Sequence, residues 1–178
     1  MKTYTYVDNS NVYIEGSRLA AVKNGMAATI FDAMNNYITD NSWQLDYGKL
    51  HTFLCGNDKN EIGAARLWGS PPPSDSFWEM VRRKGFDVKT YEKSHGKEKK
   101  VDVAIAHRMT KDAYTIIDRA NDEITLVAGD KDFVPVVTDL VAEGFTVQVA
   151  FWGHGAIELR QVASSFLNLD QFHGHLQR

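Results

Sequence analysis

The sequence lacks several features that would each have defined a class of protein. It has a single cysteine, Cys55, which excludes an internal disulfide framework and a cysteine-rich zinc site, and which fits a reducing compartment. No apolar run reaches the length of a membrane span, and the N-terminus lacks the basic-then-apolar order of a signal peptide. We therefore expect a cytoplasmic protein that does not associate with a membrane.

Neither sign of charge dominates the chain. Its 178 residues include 20 basic and 23 acidic side chains, and the net charge of −3 argues against a protein that coats DNA. The distribution is uneven, however, because the segment from Arg82 to Lys111 holds ten basic and four acidic residues. That segment carries +6 and the remainder −9. The apolar content of 43% is that of an ordinary globular domain with one core.

Short apolar runs alternate with segments of helical periodicity along the chain. The runs predicted to be strands are Tyr4–Asp8, Leu50–Cys55, Phe86–Tyr91, Ile124–Ala128, Phe145–Trp152 and Phe166–Leu169. The segments predicted to be helices are Met26–Tyr37, Ser76–Lys84, Val101–Ile117, Phe133–Glu143 and Ala156–Val162. This alternation is typical of a single α/β domain with a mostly parallel central sheet flanked by helices. Residues 171–178 are expected to form a frayed C-terminal tail.

Four aspartates follow predicted strands or begin predicted helices. Asp8 ends the first strand, Asp130 and Asp132 follow a later one, and Asp102 opens a helix. Because ligands of an open parallel sheet bind beyond the carboxyl ends of its strands, we expect these carboxylates to meet at one edge. Gathered carboxylates repel one another unless a cation neutralises them, and oxygen ligands suit Mg²⁺ or Mn²⁺. Each aspartate also has a structural alternative, as a helix cap or in a local turn.

Three segments, in order, resemble the NYN family of PIN-like nucleases, which includes the bacterial LabA/DUF88 group. Val7-Asp8-Asn9-Ser10-Asn11 matches an apolar strand followed by D-x-x-N. Lys99-Lys100-Val101-Asp102 matches K-x-V-D, and Gly129-Asp130-Lys131-Asp132-Phe133 matches the end of S-G-D-x-D-F. The resemblance extends over nearly the whole chain. It implies a PIN-like Rossmannoid fold, with an NYN/PIN-like domain over residues 1–170 followed by the tail.

The resemblance also implies a metal-dependent endoribonuclease that hydrolyses RNA phosphodiester bonds with Mg²⁺ or Mn²⁺. The residues that it assigns to catalysis are Asp8, Asp102, Asp130 and Asp132. The first three would bind the metal, and Asp132 would bind it or support a ligand. Ser10 and Asn11 would contact the substrate, and Asn11 would orient Asp8 or a phosphate. RNA, single-stranded or structured, is the expected partner, and the sequence is also compatible with a homo-oligomer.

The basic segment is expected to border the acidic site, because it directly precedes one of the four aspartates. Lys97, Lys99 and Lys100 would neutralise the RNA phosphates around the one that is cleaved. Trp68 and Trp78 lie upstream and could stack on unpaired bases or fill the core. For Trp78, on its predicted helix, we favour the core.

The chain departs from the family pattern at two positions. Ala128 replaces the serine of S-G-D, and Arg108 occupies the position where the family usually carries another aspartate, six residues beyond Asp102. Asp112 lies one helical turn further on. The departure at Arg108 leaves open whether one or two metals bind. The alternative function is therefore a catalytically impaired PIN-like domain that binds RNA or a protein partner.

Three other classes that bind metal through aspartates agree less well with the sequence. A metal-dependent adhesion module requires serine where this chain has Val12. A Toprim domain requires glutamate where this chain has Asp8, and a phosphatase of the haloacid dehalogenase type requires aspartate at Ser10.

Overall fold

The computed structural model describes residues 1–70, 73–92 and 100–178. Within these residues the strands are β1 Thr3–Asp8, β2 Ile62–Gly69, β3 Asp87–Thr90, β4 Glu123–Val127, β5 Thr146–Phe151 and β6 Ser165–Asn168. The helices are α1 Asn9–Lys23, α2 Ile30–Asn35, α3 Tyr47–Cys55, α4 Asp75–Arg83, α5 Val101–Thr115, α6 Val134–Ala142, α7 Ile157–Val162 and α8 His173–Leu176. All strand pairs are parallel. The prediction of an α/β fold with a central parallel sheet is confirmed.

The order of strands creates a crevice beside β1. Across the sheet the strands run β3-β2-β1-β4-β5-β6, so the chain builds outward on one side of β1 and then returns to its other side. In such sheets the crevice opens beyond the carboxyl ends of the two strands where the order reverses. Val7 of β1 is in register with Val127 of β4. Asp8 and Asp130 therefore follow neighbouring strand ends at this crevice.

Each face of the sheet has its own apolar core, because side chains alternate along a strand. On one face Val7 and Leu67 pack against α1, α3, α4 and α8. On the other face Tyr6 and Leu126 pack against α5, α6 and α7. The two cores hold the ends of β1 and β4 in place from both sides. The crevice is therefore built on a rigid support.

One predicted strand is wrong, and its place beside β1 is taken by a strand that the sequence does not predict. Leu50–Cys55 is not a strand but the end of helix α3, which Asp46 caps by accepting hydrogen bonds from the backbone N–H groups of Gly48 and Lys49. A short apolar run does not by itself distinguish a strand from a buried helix. The neighbour of β1 is instead β2, which contains two glycines and two alanines and so has little intrinsic strand propensity.

The C-terminal residues 171–178 are packed rather than frayed. Leu176 and His173 of α8 are buried, and the His173 ring stacks on Trp43 with 4.9 Å between ring centroids. Gln177 pairs with Leu45, and the Arg178 N–H donates to the Gln44 carbonyl over 2.9 Å. This segment closes the apolar core on the α1 side.

Both tryptophans near the basic segment belong to the core. Trp68 and Trp78 are each only 2% exposed, so neither can stack on an RNA base. The expectation for Trp78 is confirmed, and stacking by Trp68 is excluded. In the part of the chain that the structure describes, no helix has the length and apolar character needed to cross a bilayer.

Candidate metal centre

Asp8 occupies the junction between β1 and α1. Its side chain accepts a hydrogen bond from the backbone N–H of Asn11 over 3.2 Å and so caps the helix, and the residue is only 5% exposed. The Asn11 side chain turns the other way and accepts from the backbone N–H of Gly129 over 2.8 Å. Asn11 therefore links the end of β1 to the loop that carries Asp130.

The loop after β4 is held close to the sheet. A Cβ atom on Gly129 would lie 2.0 Å from the Phe151 ring, so only glycine allows this approach. Asp130 accepts a hydrogen bond from the backbone N–H of Asp132 over 2.9 Å and caps the turn Lys131–Phe133. Asp8 caps helix α1 and Asp130 caps a turn, and both also line the crevice. A role as a helix or turn cap is therefore compatible with a role in metal binding.

Three carboxylates come together at this edge of the sheet. Asp102, Asp130 and Asp132 each present an oxygen atom, and these atoms lie within 4.8 Å of one another. Asp102 lies in the first turn of α5, where the helix dipole favours negative charge. Oxygen atoms alone, without histidine or cysteine, are the donor set that Mg²⁺ and Mn²⁺ prefer. The residues present therefore fit a hard divalent cation.

A cavity of about 370 Å³ lies in front of this cluster. Its lining includes Asp8, Ser10, Asn11, Asp102 and Asp130 among the residues predicted from the sequence. The crevice thus gathers most of the predicted site. Asp132 is exposed at its rim and belongs to the carboxylate cluster but not to this lining.

Two charged residues that line the cavity are not predicted from the sequence. Glu15 and Arg18 of α1 both line it, and they pair with each other. Glu15 also contacts His154, whose Nε2 lies 2.7 Å from the Glu15 carboxylate. The helical spacing from Asn11 to Glu15 to Arg18 would have placed all three on one face, but no helix was predicted there.

Of the three lysines predicted to border the site, the structure describes Lys100. Lys97 and Lys99 lie outside the described residues. Lys100 is exposed and directly precedes α5, where its carbonyl accepts the Ala104 N–H over 3.0 Å. Lys100 is therefore at the same helix end as Asp102.

Arg108 and Asp112 pair with each other and do not belong to the carboxylate cluster. Asp112 is 1% exposed and lies 2.8 Å from the Arg108 guanidinium, while Tyr6 and Arg66 donate to its other oxygen over 2.8 and 3.1 Å. Burial, followed by the contact with Asp112, raises the pKa of Tyr6 far above its ordinary value. Asp112 therefore anchors α5 to the sheet and does not replace the aspartate that Arg108 displaces.

A second, larger cavity of about 520 Å³ adjoins the first. Its described lining combines three aromatic side chains, Tyr13, Tyr47 and Phe77, with the hydroxyl of Ser70. Ser10 and Ile14 line both cavities, so the two are continuous. No sequence pattern indicates this cavity, because its walls come from distant parts of the chain.

A parallel sheet with carboxylates gathered where its strand order reverses defines a Rossmann-like domain with an acidic site. A model of the NYN domain matches residues 26–170. The chain belongs to the NYN domain family, which is part of the PIN-like nuclease superfamily, and this membership indicates a nuclease-like, RNA-related function. The matched region includes Asp102, Asp130 and Asp132, whereas Asp8 and Asn11 precede it.

The fold is also that of a solved structure. The chain resembles the crystal structure of a protein of unknown function from Vibrio parahaemolyticus, with a TM-score of 0.64 and 20% sequence identity. The similarity covers 94% of this chain and 92% of the other. The search among curated proteins found no match.

Proposed function

We propose that the protein is a metal-dependent endoribonuclease that cleaves RNA at the crevice beyond β1 and β4. The observation that carries the proposal is the approach of three carboxylates, Asp102, Asp130 and Asp132, to within 4.8 Å at the strand ends of an NYN domain. Such a cluster is costly in free energy unless a cation compensates the repulsion. Membership in the PIN-like superfamily supports the same conclusion.

Different residues of the crevice would bind the metal and the phosphate. Asp102 and Asp130 would hold the cation, with Asp8 and Asp132 beside them. Bound there, Mg²⁺ or Mn²⁺ would supply an activated water and stabilise charge on the phosphate. Arg18 lines the same cavity and pairs with Glu15, so its guanidinium offers a phosphate hydrogen-bond donors rather than a net positive charge.

Asn11 and Ser10 would set the geometry on the substrate side. The hydrogen bond from Gly129 to Asn11 fixes the distance between the helix that begins at Asp8 and the loop of Asp130. Ser10 lies at the boundary of the two cavities, where it can contact the substrate on either side. A rigid arrangement of this kind is what positioning of a phosphate for attack requires.

The test is cleavage of labelled RNA, single-stranded and hairpin, with Mn²⁺, with Mg²⁺ and with EDTA. We expect metal-dependent products from the unmodified protein. Asp102→Asn and Asp130→Asn each keep the shape of the side chain but remove its charge. Each should lower the cleavage rate by about a hundredfold or more, as loss of a charged group at a reacting centre does.

Asp139→Asn is the matched control, since Asp139 is an exposed acid on α6, outside the cluster. It should leave the rate unchanged. Isothermal titration with Mn²⁺ gives an independent measure, because the two cluster variants should bind the ion more weakly than the control. Cleavage that persists in EDTA, or that survives both cluster variants, would overturn the proposal.

A second candidate function follows from Arg108. This residue is paired with Asp112 and contributes no carboxylate to the crevice, so the site has fewer acids than the family pattern provides. A domain that binds RNA without cutting it would give a retarded band of intact RNA in the same experiment.

A further inference from the structure

The cavity beside the carboxylate cluster has the composition of a site for a flat, polar ring. Its volume of about 520 Å³ falls within the range of small-ligand sites, which are mostly apolar with a few convergent polar groups. Tyr13 and Phe77 are half-buried at its wall, and the Tyr47 ring meets Phe77 edge to face at 5.4 Å between centroids. These rings offer stacking and edge contacts to an aromatic ligand.

One buried polar group at this cavity, the Ser70 hydroxyl, lacks a hydrogen-bond partner in the described part of the chain. Ser70 is only 4% exposed and lines the cavity, and its Oγ has no hydrogen-bond partner in the described part of the chain. A buried hydroxyl without a partner costs free energy, so native structures seldom keep one without a reason. A ring nitrogen or an exocyclic group of a ligand would satisfy it.

Three other polar side chains of the cavity, Tyr47, Asn9 and Asp46, already have hydrogen-bond partners. The Tyr47 hydroxyl donates to the Asn9 side chain over 2.7 Å. The backbone N–H of Lys49 is the main cause that lowers the pKa of Asp46, so this carboxylate stays charged at the cavity wall. Among these polar side chains, Ser70 is therefore the one whose hydrogen-bonding capacity is still available to a ligand.

The position of the cavity relates it to the carboxylate cluster. Asn9 directly follows β1 and Ser70 directly follows β2, so the cavity lies beyond the carboxyl ends of these two strands. The cluster lies beyond β1 and β4. Neighbouring strands are about 4.8 Å apart, which makes the two sites consecutive along one edge of the sheet. At the rim of the cavity, exposed Lys84 and Arg178 add positive charge.

We propose that this cavity binds an unpaired nucleobase of the RNA, from a nucleotide adjacent to the phosphate at the carboxylate cluster. The base enters between Tyr13 and Phe77 and hydrogen-bonds to Ser70, while Lys84 and Arg178 face its sugar–phosphate backbone. The inference rests on the proposed function only in taking RNA as the ligand. It makes the enzyme selective for single-stranded or looped RNA, because a paired base cannot enter the cavity.

The experiment measures binding without cleavage. In EDTA, fluorescence titration compares a short single-stranded RNA with the ribose-phosphate chain of the same length that has no bases. We expect the RNA with bases to bind at least about fivefold more tightly, since stacking of one base on an aromatic side chain contributes that much or more. Phe77→Ala should remove most of this difference. Phe31→Ala, at an exposed phenylalanine away from the cavity, should leave it intact.

Ser70→Ala covers the case in which Phe77→Ala does not fold. It removes only the hydroxyl and should change the preference among oligomers of adenosine, uridine, cytidine and guanosine. Equal binding of the two chains, or a difference that both variants leave unchanged, would overturn the inference and assign the cavity to another occupant. Cleavage is measured separately with Mn²⁺, so an inactive protein that still prefers bases supports the inference while it contradicts the nuclease.

Discussion

At the scale of single residues, Asp112 and Arg108 decide how many carboxylates serve the site. The two residues are four apart on α5, so they face the same side of the helix. The Asp112 carboxylate also receives Arg66 from β2 and Tyr6 from β1. One buried acid thus joins a helix to two strands. Its role is to hold α5 in place, and α5 in turn carries Asp102.

Replacing Asp112 separates this structural role from a role in metal binding. Asp112→Asn leaves Arg66 and Arg108 facing a neutral group in a largely buried place, and we expect it to lower the free energy of unfolding by about 3 kcal/mol. The affinity for Mn²⁺ should change by less than about twofold, because Asp112 does not belong to the cluster. Urea denaturation and titration calorimetry measure the two effects.

Glu79→Gln provides the comparison for Asp112→Asn. It breaks the exposed pair of Glu79 with Arg82 on α4, which should cost no more than about 1 kcal/mol. Strongly weakened Mn²⁺ binding with unchanged stability in Asp112→Asn would instead place Asp112 among the ligands.

At the scale of elements, helix α1 is positioned by a glycine. A Cβ on Gly16 would lie 2.5 Å from the Trp43 ring and 2.8 Å from that of Trp152. Trp152 also donates its indole N–H to the Val12 carbonyl over 2.9 Å. The helix therefore sits directly on two indole rings. This contact sets where its other side, with Asn11, Glu15 and Arg18, meets the carboxylate cluster.

Gly16→Ala tests this contact against intrinsic helix propensity. Alanine favours a helix over glycine by about 1 kcal/mol, yet the added methyl group must displace a buried ring, which costs about 1–3 kcal/mol. We expect a net loss of about 1 kcal/mol in the free energy of unfolding, measured by urea denaturation, together with a slower cleavage rate. A Cβ on Gly174 in α8 would meet no atom within 4 Å, so Gly174→Ala should not lower the free energy of unfolding. A stabilised Gly16→Ala variant would contradict the close contact.

The elements that the sequence predicts well are those with one unambiguous pattern. β1 and β4 are continuous apolar runs, and their predicted bounds differ from the observed ones by one residue at most. In contrast, β2 is a strand because β1 and β3 pair with it on both sides, and its own sequence of small residues gives no signal. Helix α1 begins with Asn9-Ser10-Asn11, which resembles a turn until the cap at Asp8 is seen.

The same limit applies to the site. The aspartates are predictable because they follow strands whose ends meet by topology. The roles of Arg18 and Glu15 follow only from helix α1, and the larger cavity follows only from the packing of α1, α3 and α4. Contacts between segments far apart in sequence leave no local pattern. The sequence therefore predicts the aspartates of the candidate site but not Glu15, Arg18 or the apolar wall.

At the scale of the whole molecule, the distribution of charge matters more than its sum. The net charge of −3 combines a basic segment of +6 with an acidic remainder. Asp130 and Asp132 of the carboxylate cluster belong to that remainder, whereas Asp102 lies within the basic segment, and a bound cation would offset all three charges where a phosphate approaches. Lys100, directly before α5, lies two residues before Asp102, so a lysine of the basic segment borders the carboxylate cluster. The molecule can thus be acidic overall and still attract RNA to one edge of its sheet.

The last prediction tests whether this location, rather than the total charge, determines RNA binding. Lys97, Lys99 and Lys100 are replaced together by glutamate, and in a second variant Lys2, Lys23 and Lys59 are replaced in the same way. Both variants have a net charge of −9, since each reverses three charges of a chain at −3. None of the second set lines either cavity: Lys2 precedes β1 and Lys59 precedes β2 at the opposite edge of the sheet, and Lys23, at the end of α1, donates to the Asp170 carbonyl over 3.5 Å. RNA affinity, measured by gel shift in EDTA across a range of salt concentrations, should fall about tenfold or more only in the first variant.

The dependence of RNA affinity on salt should also become weaker in the first variant, because each lost phosphate contact removes about 0.7 from the slope of log affinity against log salt for a single strand. An equal loss in both variants would mean that net charge alone governs binding and that the basic segment does not border the site.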